Sequence, residues 1–239
     1  KHKQMERSVL NTADQIIVTS GTTKKEFEHI TDTPIAVITN GHDSQYQGDA
    51  DLDSEFTISH IGSLLTGRNP KNLWKVLSRL AAENAVFRAD LQLEFMGVVS
   101  KDVMDSLYRA ELGPYIKMRG YGSHAEAQRR QQRSQLLLLV EIDSEETKGI
   151  IPGKLFEYMA TGRKIIALGD PNGDASQIIQ EANAGKVFKH EAIQDIKAYL
   201  LEQISFSGNG ESGNLKFFER KFLTGKLAQL LNEKVASVS

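Results

Sequence analysis

The sequence predicts an α/β fold, a doubly wound parallel sheet with helices on both faces. Two observations lead there. From Phe56 onward, short apolar strand-like runs alternate with segments whose apolar residues recur at helical spacing. Glycines follow those runs, with Gly62, Gly97, Gly120, Gly122, Gly149 and Gly153 placed where ligands bind in such sheets, beyond the carboxyl ends of the strands.

Taken in order, residues 1–12 read as a helix and residues 13–20 as a strand. Thr23 with Glu26 fits a capping box that opens a helix reaching about Ile30. Residues 34–38 read as a strand, and Asn40-Gly41-His42-Asp43 as a turn with His42 on the surface. Residues 44–54 are polar and read as a linker. Strands are then expected at 57–61, 91–96, 115–118, 136–140, 164–168 and 185–188. The first intervening helix is marked by Leu73, Trp74, Val76, Leu77 and Leu80, the second by Val103, Met104, Leu107 and Tyr108. Ser123 with Glu126 caps a third, and Asp174 is expected to cap a fourth carrying Ile178, Ile179 and Ala182. Ile193, Ile196, Leu200 and Leu201 mark a fifth. Residues 207–214 are a Gly-, Ser- and Asn-rich break, and a last helix is expected over 215–239.

Composition narrows the function. The 239 residues carry 29 Lys plus Arg against 31 Asp plus Glu, so the balance of −2 gives no reason to expect nucleic acid. No apolar run approaches the roughly 20 residues that span a bilayer, and no signal peptide precedes the first helix. With no cysteine there is neither a disulfide nor a thiolate metal site, which fits a reducing compartment. The first residue is Lys, so an excised or processed piece is expected. Gly62-Ser63-Leu64-Leu65-Thr66-Gly67 is not Gly-x-Gly-x-x-Gly, which disfavours a nicotinamide dehydrogenase.

The most informative stretch is 149–169. Pro152 and Gly153 lead into a helix beginning near Lys154, with Leu155, Phe156, Met159 and Ala160 facing a core. Gly162 closes it where a left-handed residue is needed, and residues 164–168 resume as a strand. Backbone amides at the helix start, with Lys154 among them, form an anion site. Glu157, one turn in, can accept two hydroxyl hydrogen bonds; a plain polar position on a crossover helix is the alternative.

Phe156-Glu157-Tyr158-Met159-Ala160-Thr161-Gly162 resembles the second half of the donor-site signature of retaining glycosyltransferase family 4, which has the GT-B fold. The signature's first Glu would stand at 149, where this chain has Gly149. Its phosphate loop has Gly-Arg early and a Lys about five residues on; here Ser63 takes the Arg position and Arg68 the Lys position. The resemblance implies a donor site of Gly62, Ser63, Arg68, Gly97, Tyr121, Ile151, Pro152, Lys154, Leu155 and Glu157. In it Glu157 binds ribose hydroxyls, while Arg68 and Lys154 stabilise the diphosphate. Tyr121 either sits against the nucleobase or belongs to a surface turn. The implied ligand is a UDP- or GDP-sugar, with no metal and no other cofactor.

The same resemblance makes residues 1–43 the end of an N-terminal acceptor domain, 44–54 the hinge, 55–206 the Rossmann-like donor domain and 215–239 a helix crossing back. The acceptor half is absent, so the fragment is expected to bind nucleotide but transfer little sugar. A cytoplasmic place is implied, with peripheral contact to the inner face of a membrane through the absent half. A sugar-nucleotide epimerase of the same fold and a non-catalytic interaction module remain as alternatives. Glu141, Asp143, Glu145 and Glu146 read as a solvated acidic loop, Arg129, Arg130 and Arg133 as a wet helix face, and His60 as structural.

Overall fold

The computed structural model describes residues 2–43, 51–142, 144, 147, 149–205 and 215–238. Residues 44–50 of the expected linker, Asp143, Glu145, Glu146 and the break at 207–214 lie outside the described residues.

Two parallel sheets form. The smaller pairs β1 (Ile16–Val18) with β2 (Ile35–Val37), flanked by α1 (His2–Thr12) and α2 (Gly21–Glu28). The larger contains β3 (Phe56–Ile61), β4 (Leu91–Met96), β5 (Ile116–Gly120), β6 (Leu136–Val140), β7 (Lys164–Leu168) and β8 (Gly185–Phe188). Its order is β5-β4-β3-β6-β7-β8, with every pairing parallel. The helices between are α3 (Lys71–Glu83), α4 (Ala85–Asp90), α5 (Lys101–Arg109), α6 (His124–Arg133), α7 (Gly153–Ala160), α8 (Asp174–Glu181) and α9 (Ile193–Ser205). The doubly wound parallel sheet is therefore as the alternation of elements predicts.

The period-two geometry of a strand explains the unbroken apolar runs. Along β6, Leu136, Leu138 and Val140 enter one core with Leu73, Trp74 and Leu77 of α3, Leu107 of α5 and Leu200 of α9. The intervening Leu137 and Leu139 enter the other core, with Leu155, Phe156 and Met159 of α7 and Ile178 and Ile179 of α8.

Several local expectations give way to longer-range partners. Ser20, not Thr23, is the N-cap of α2, its hydroxyl accepting from the Thr23 amide. The residue before α8 is Gly173, and Asp174 does not cap its own helix. Instead its carboxylate accepts from the amides of Gly21 and Thr22 at 2.8 and 3.1 Å, closing the first turn of α2 from 153 and 152 residues away. Asn84 ends α3 and caps α4, a short helix the apolar pattern does not signal. The expected last helix is broken into a 3-10 turn, Leu215–Phe218, and α10 (Arg220–Val238). Leu215 and Phe218 are buried beside α7, and the backbone of His42 pairs with Phe218 and Arg220. His42 is consequently 4% exposed, contrary to the surface turn expected.

Arg130 and Arg133 turn inward rather than forming a wet face. Arg130 lies 3.6 Å from the fully buried Glu94, which Arg119 contacts at 2.8 Å, and Arg133 meets Asp53 at 2.8 Å. Only Arg129 of the three is exposed.

Removing the Asp174 carboxylate leaves two helix amides without their acceptor. Asp174→Ala is expected to lower stability by about 1–2 kcal/mol in urea unfolding. A loss below about 0.5 kcal/mol would show that water replaces the carboxylate at little cost.

Candidate functional site

The site begins where two central strands part. β3 and β6 pair at Ile58 with Leu136 and at Ser59 with Leu137. One step further, side chains replace the ladder. The His60 ring meets the Leu138 carbonyl through Nδ1 at 2.9 Å. The Tyr158 hydroxyl, from α7, accepts from the Ile61 amide at 2.8 Å and lies 3.2 Å from the Ile61 carbonyl. These contacts satisfy backbone groups that the parting strands leave unpaired. They also fix α7 against the carboxyl end of β3, at the switch point of the sheet.

The His60 contact sets a tautomer. A carbonyl only accepts; the Leu138 carbonyl is closer to Nδ1 than the Ser63 carbonyl, at 3.4 Å, is to Nε2, so Nδ1 carries the proton and Nε2 offers its lone pair. Lys154 Nζ lies 3.2 Å from that Nε2 and donates to it. Burial, then the charges of Lys154 and Arg68, push the His60 pKa down to about 3, so the ring stays neutral. His60 is structural, as expected, and it also anchors the lysine.

Lys154 rests over Gly62. A Cβ on Gly62 would approach Nζ to 2.8 Å, and its φ of 110° is left-handed. Gly97, with φ of 118°, lies so close that a Cβ would come within 2.7 Å of the Gly62 carbonyl. Bare backbone therefore forms the floor beside the ammonium. The loop after Gly62 is braced by Asn69, whose Oδ1 accepts from Trp74 Nε1 and Ser106 Oγ. That bracing directs Arg68 into a cavity of about 100 Å³ shared with Glu141, Ile150, Pro152 and Lys154.

The electrostatics favour an anion. Burial and the Arg68 charge push the Lys154 pKa down to about 8, with Glu157 opposing. Arg68 and Lys154 repel one another in this half-buried cavity, and the Lys154 pKa stays low even with Glu157 opposing the shift. The N-terminus of α7 adds backbone amides and the positive end of its dipole.

The sequence reading missed Glu141. It is not solvated: burial, then the Asp170 charge, push its pKa up to about 7, against the Asp170 amide and Arg68. Its Oε1 is buried without a hydrogen-bond partner among the described residues. Charge patterning alone reads such a residue as loop surface, since the burying groups come from β7 and the 62–70 loop.

The other expected residues are placed unevenly. Glu157 is half-buried on α7, with Gln131 Nε2 at 3.5 Å from its carboxylate. Ser63 is exposed in the loop after β3. Tyr121 is 83% exposed beyond β5. Ile151 lines a separate cavity of about 500 Å³ with Ser20, Asp174 and Phe218. Leu155 puts its side chain in the core, as its helical spacing predicts, and its amide donates to the Pro152 carbonyl at 2.9 Å. The helix begins at Gly153, one residue before Lys154, as expected. A Cβ on Gly149 would sit 3.1 Å from Thr22 Cβ, so that position faces α2. Among the described residues no group of three His, Asp or Glu could hold a metal ion, and no helix is long and apolar enough to cross a membrane.

No family model matches the sequence, and no curated protein matches it. Solved structures do match in fold. Sucrose-phosphate synthase from Thermosynechococcus elongatus superposes with a TM-score of 0.72 at 15% identity, over 98% of this chain and 61% of that one. A TarM variant from S. aureus, solved with UDP, gives 0.67 at 16% identity, over 96% and 46%. The lipopolysaccharide outer core galactosyltransferase WaaB gives 0.67 at 17% identity, over 93% and 62%. The chain thus has the Rossmann-like fold found in GT-B glycosyltransferases and spans about half to two thirds of these proteins.

Glu141 has a pH signature. Its folded pKa lies above the ordinary 4.5, so the folded state holds more protons between pH 4.5 and 7 and this group's contribution to stability falls as pH rises through that window. Glu141→Gln is expected to raise the urea midpoint above wild type at pH 7.5, with the gap narrowing at pH 5. An equal gap at both values would place the carboxyl in water.

Proposed function

We propose that this chain is the donor-binding part of a glycosyltransferase and that the cavity at the parting of β3 and β6 holds the diphosphate of a UDP- or GDP-sugar. The observation that carries this reading is that Arg68 and Lys154 line one cavity at the switch point, beside the start of α7, with Lys154 over the bare backbone of Gly62. The ligand class follows from the chemistry. Arg68 offers a planar fork and Lys154 a point charge, both suited to phosphate oxygens. Glu157, one turn along, is in reach of a ribose whose diphosphate lies at the helix start.

Departure of the diphosphate would be eased by the two cations and the α7 amides, because negative charge builds up on it as the glycosidic bond breaks. Transfer with retention, to a glycan or lipid-linked acceptor, fits the family-4 resemblance of residues 156–162. On this reading residues 1–43 close an acceptor domain, residues 55–206 form the donor domain, and the segment from 215 returns across the hinge. The pairing of His42 with Phe218 and Arg220 supports that return. The acceptor and the remaining catalytic groups then come from a further domain, as would any contact with a membrane at its cytoplasmic face.

Calorimetric titration with UDP, GDP, ADP and CMP tests the proposal. One nucleoside diphosphate is expected to bind with Kd on the order of 0.1–1 mM. Lys154→Ala should weaken it about tenfold or more, as loss of a charged hydrogen bond does, and Glu157→Ala should weaken the nucleoside diphosphate but not inorganic pyrophosphate. Absence of binding to all four nucleotides would refute the donor-site reading.

A further inference from the structure

The cavity of about 500 Å³ that Ile151 lines has no part in the donor-site reading. Three elements wall it: the end of β2 at Val37 with Thr39 beyond it, α8, and the 217–226 segment. That last wall is firmly seated. The His42 amide donates to the Phe218 carbonyl at 3.0 Å, and the Arg220 amide donates to the His42 carbonyl at 2.8 Å. A Cβ on Gly41 would come within 2.6 Å of Leu223 Cδ1. The Phe218 ring also lies 6.2 Å from that of Phe156 in α7. Buried Ile178, Phe218 and Leu223 give the cavity an apolar lining, while Phe217, which lines it too, is 53% exposed. Exposed apolar surface rimmed by polar groups, in a hollow of this size, is the common character of ligand grooves.

The polar side chains of the lining divide in two. Ser20 and Asp174 are committed to the first turn of α2, the one to the Thr23 amide and the other to the amides of Gly21 and Thr22. Among the described residues, the side chains of Thr39, Gln177 and Glu181 make no hydrogen bond or ion pair, and Lys226 meets only the Phe222 ring, 5.8 Å from its centroid. Gln177 and Glu181 are four residues apart and so share one face of α8. These four open groups specify a head group. Glu181 only accepts, Lys226 only donates, and Thr39 and Gln177 do both. A ligand of net charge would gain from one of the two charges and be opposed by the other. A hydroxyl donates and accepts and carries no charge. We propose that this cavity binds a neutral amphiphile, an alkyl chain or apolar ring bearing several hydroxyls. Its apolar part lies on the phenylalanines, and its hydroxyls meet Thr39, Gln177, Glu181 and Lys226. Such a ligand needs no phosphate, so the site stands whether or not the cavity at Lys154 holds a nucleotide.

The probe is octyl glucoside, kept below its micelle-forming concentration and titrated into the 239-residue chain while amide NMR shifts are followed. Glucose, octanoate and octylammonium serve as comparisons. Saturating shifts are expected at Thr39, Ile178 and Lys226, with an affinity about fivefold or more above each of the other three probes. Phe217→Ala, at an exposed position, should weaken octyl glucoside about fivefold, as loss of an aromatic contact does. Glu181→Gln keeps an acceptor and removes the charge, so octanoate should gain about threefold while octyl glucoside changes by less than about twofold. Lys226→Gln should favour octylammonium in the same way, and the two charge variants carry the test if Phe217→Ala does not fold. No saturating shift at the three cavity residues would overturn the proposal. Glucose or a charged octyl probe binding wild type as tightly as octyl glucoside would do so too. The same holds for Phe217→Ala binding octyl glucoside as wild type does, or for charge variants that leave octanoate and octylammonium unchanged.

Discussion

The parting of β3 from β6 is the constraint on which the rest depends. A parallel sheet whose connections wind both ways must separate two strands, and separation leaves backbone groups without a ladder. Here the Tyr158 hydroxyl and the His60 ring take those places. Each substitution has a second effect. Tyr158 ties α7 to the end of β3, so the start of that helix cannot drift from the floor made by Gly62 and Gly97. His60, its proton committed to Leu138, has only a lone pair to offer, and Lys154 is the donor that meets it. The geometry that closes the sheet therefore also places the cation.

Charge in the site is unbalanced by design of the local fold rather than by composition, since the chain as a whole is near neutral. Arg68 arrives on a loop braced by Asn69, Lys154 on a helix start, and Glu141 on a strand end. Three different elements supply three charges to one small volume. Half-burial strengthens their interaction and perturbs Lys154 and Glu141 toward neutrality.

Much of this was legible in the residues, and what was not has a common cause. Strands such as Leu136–Val140 and Lys164–Leu168 are set by unbroken apolar runs, and the Ser123–Glu126 capping box is contained in four residues. Lys154 and Arg68 stand in loops after strands, where such sheets bind ligands, and the structure brings both to one cavity. Failures came where the partner is remote. Asp174 looks like a local cap but serves α2, because Gly21 and Thr22 are brought to it by tertiary structure. His42 looks exposed until the segment around Phe218 covers it. Arg130 and Arg133 look wet until Glu94 and Asp53 face them.

The depressed pKa of Lys154 has a consequence for the heat of any binding reaction at this site. With a pKa of about 8, a fraction of the amine is unprotonated just above neutrality. A dianion settling beside it favours the ammonium, and the missing fraction of a proton is drawn from the buffer. Glu141, near half-titration at pH 7, is driven the same way by the added negative charge. The binding enthalpy then includes the ionisation heat of the buffer, and differs between Pipes and Tris for one and the same complex.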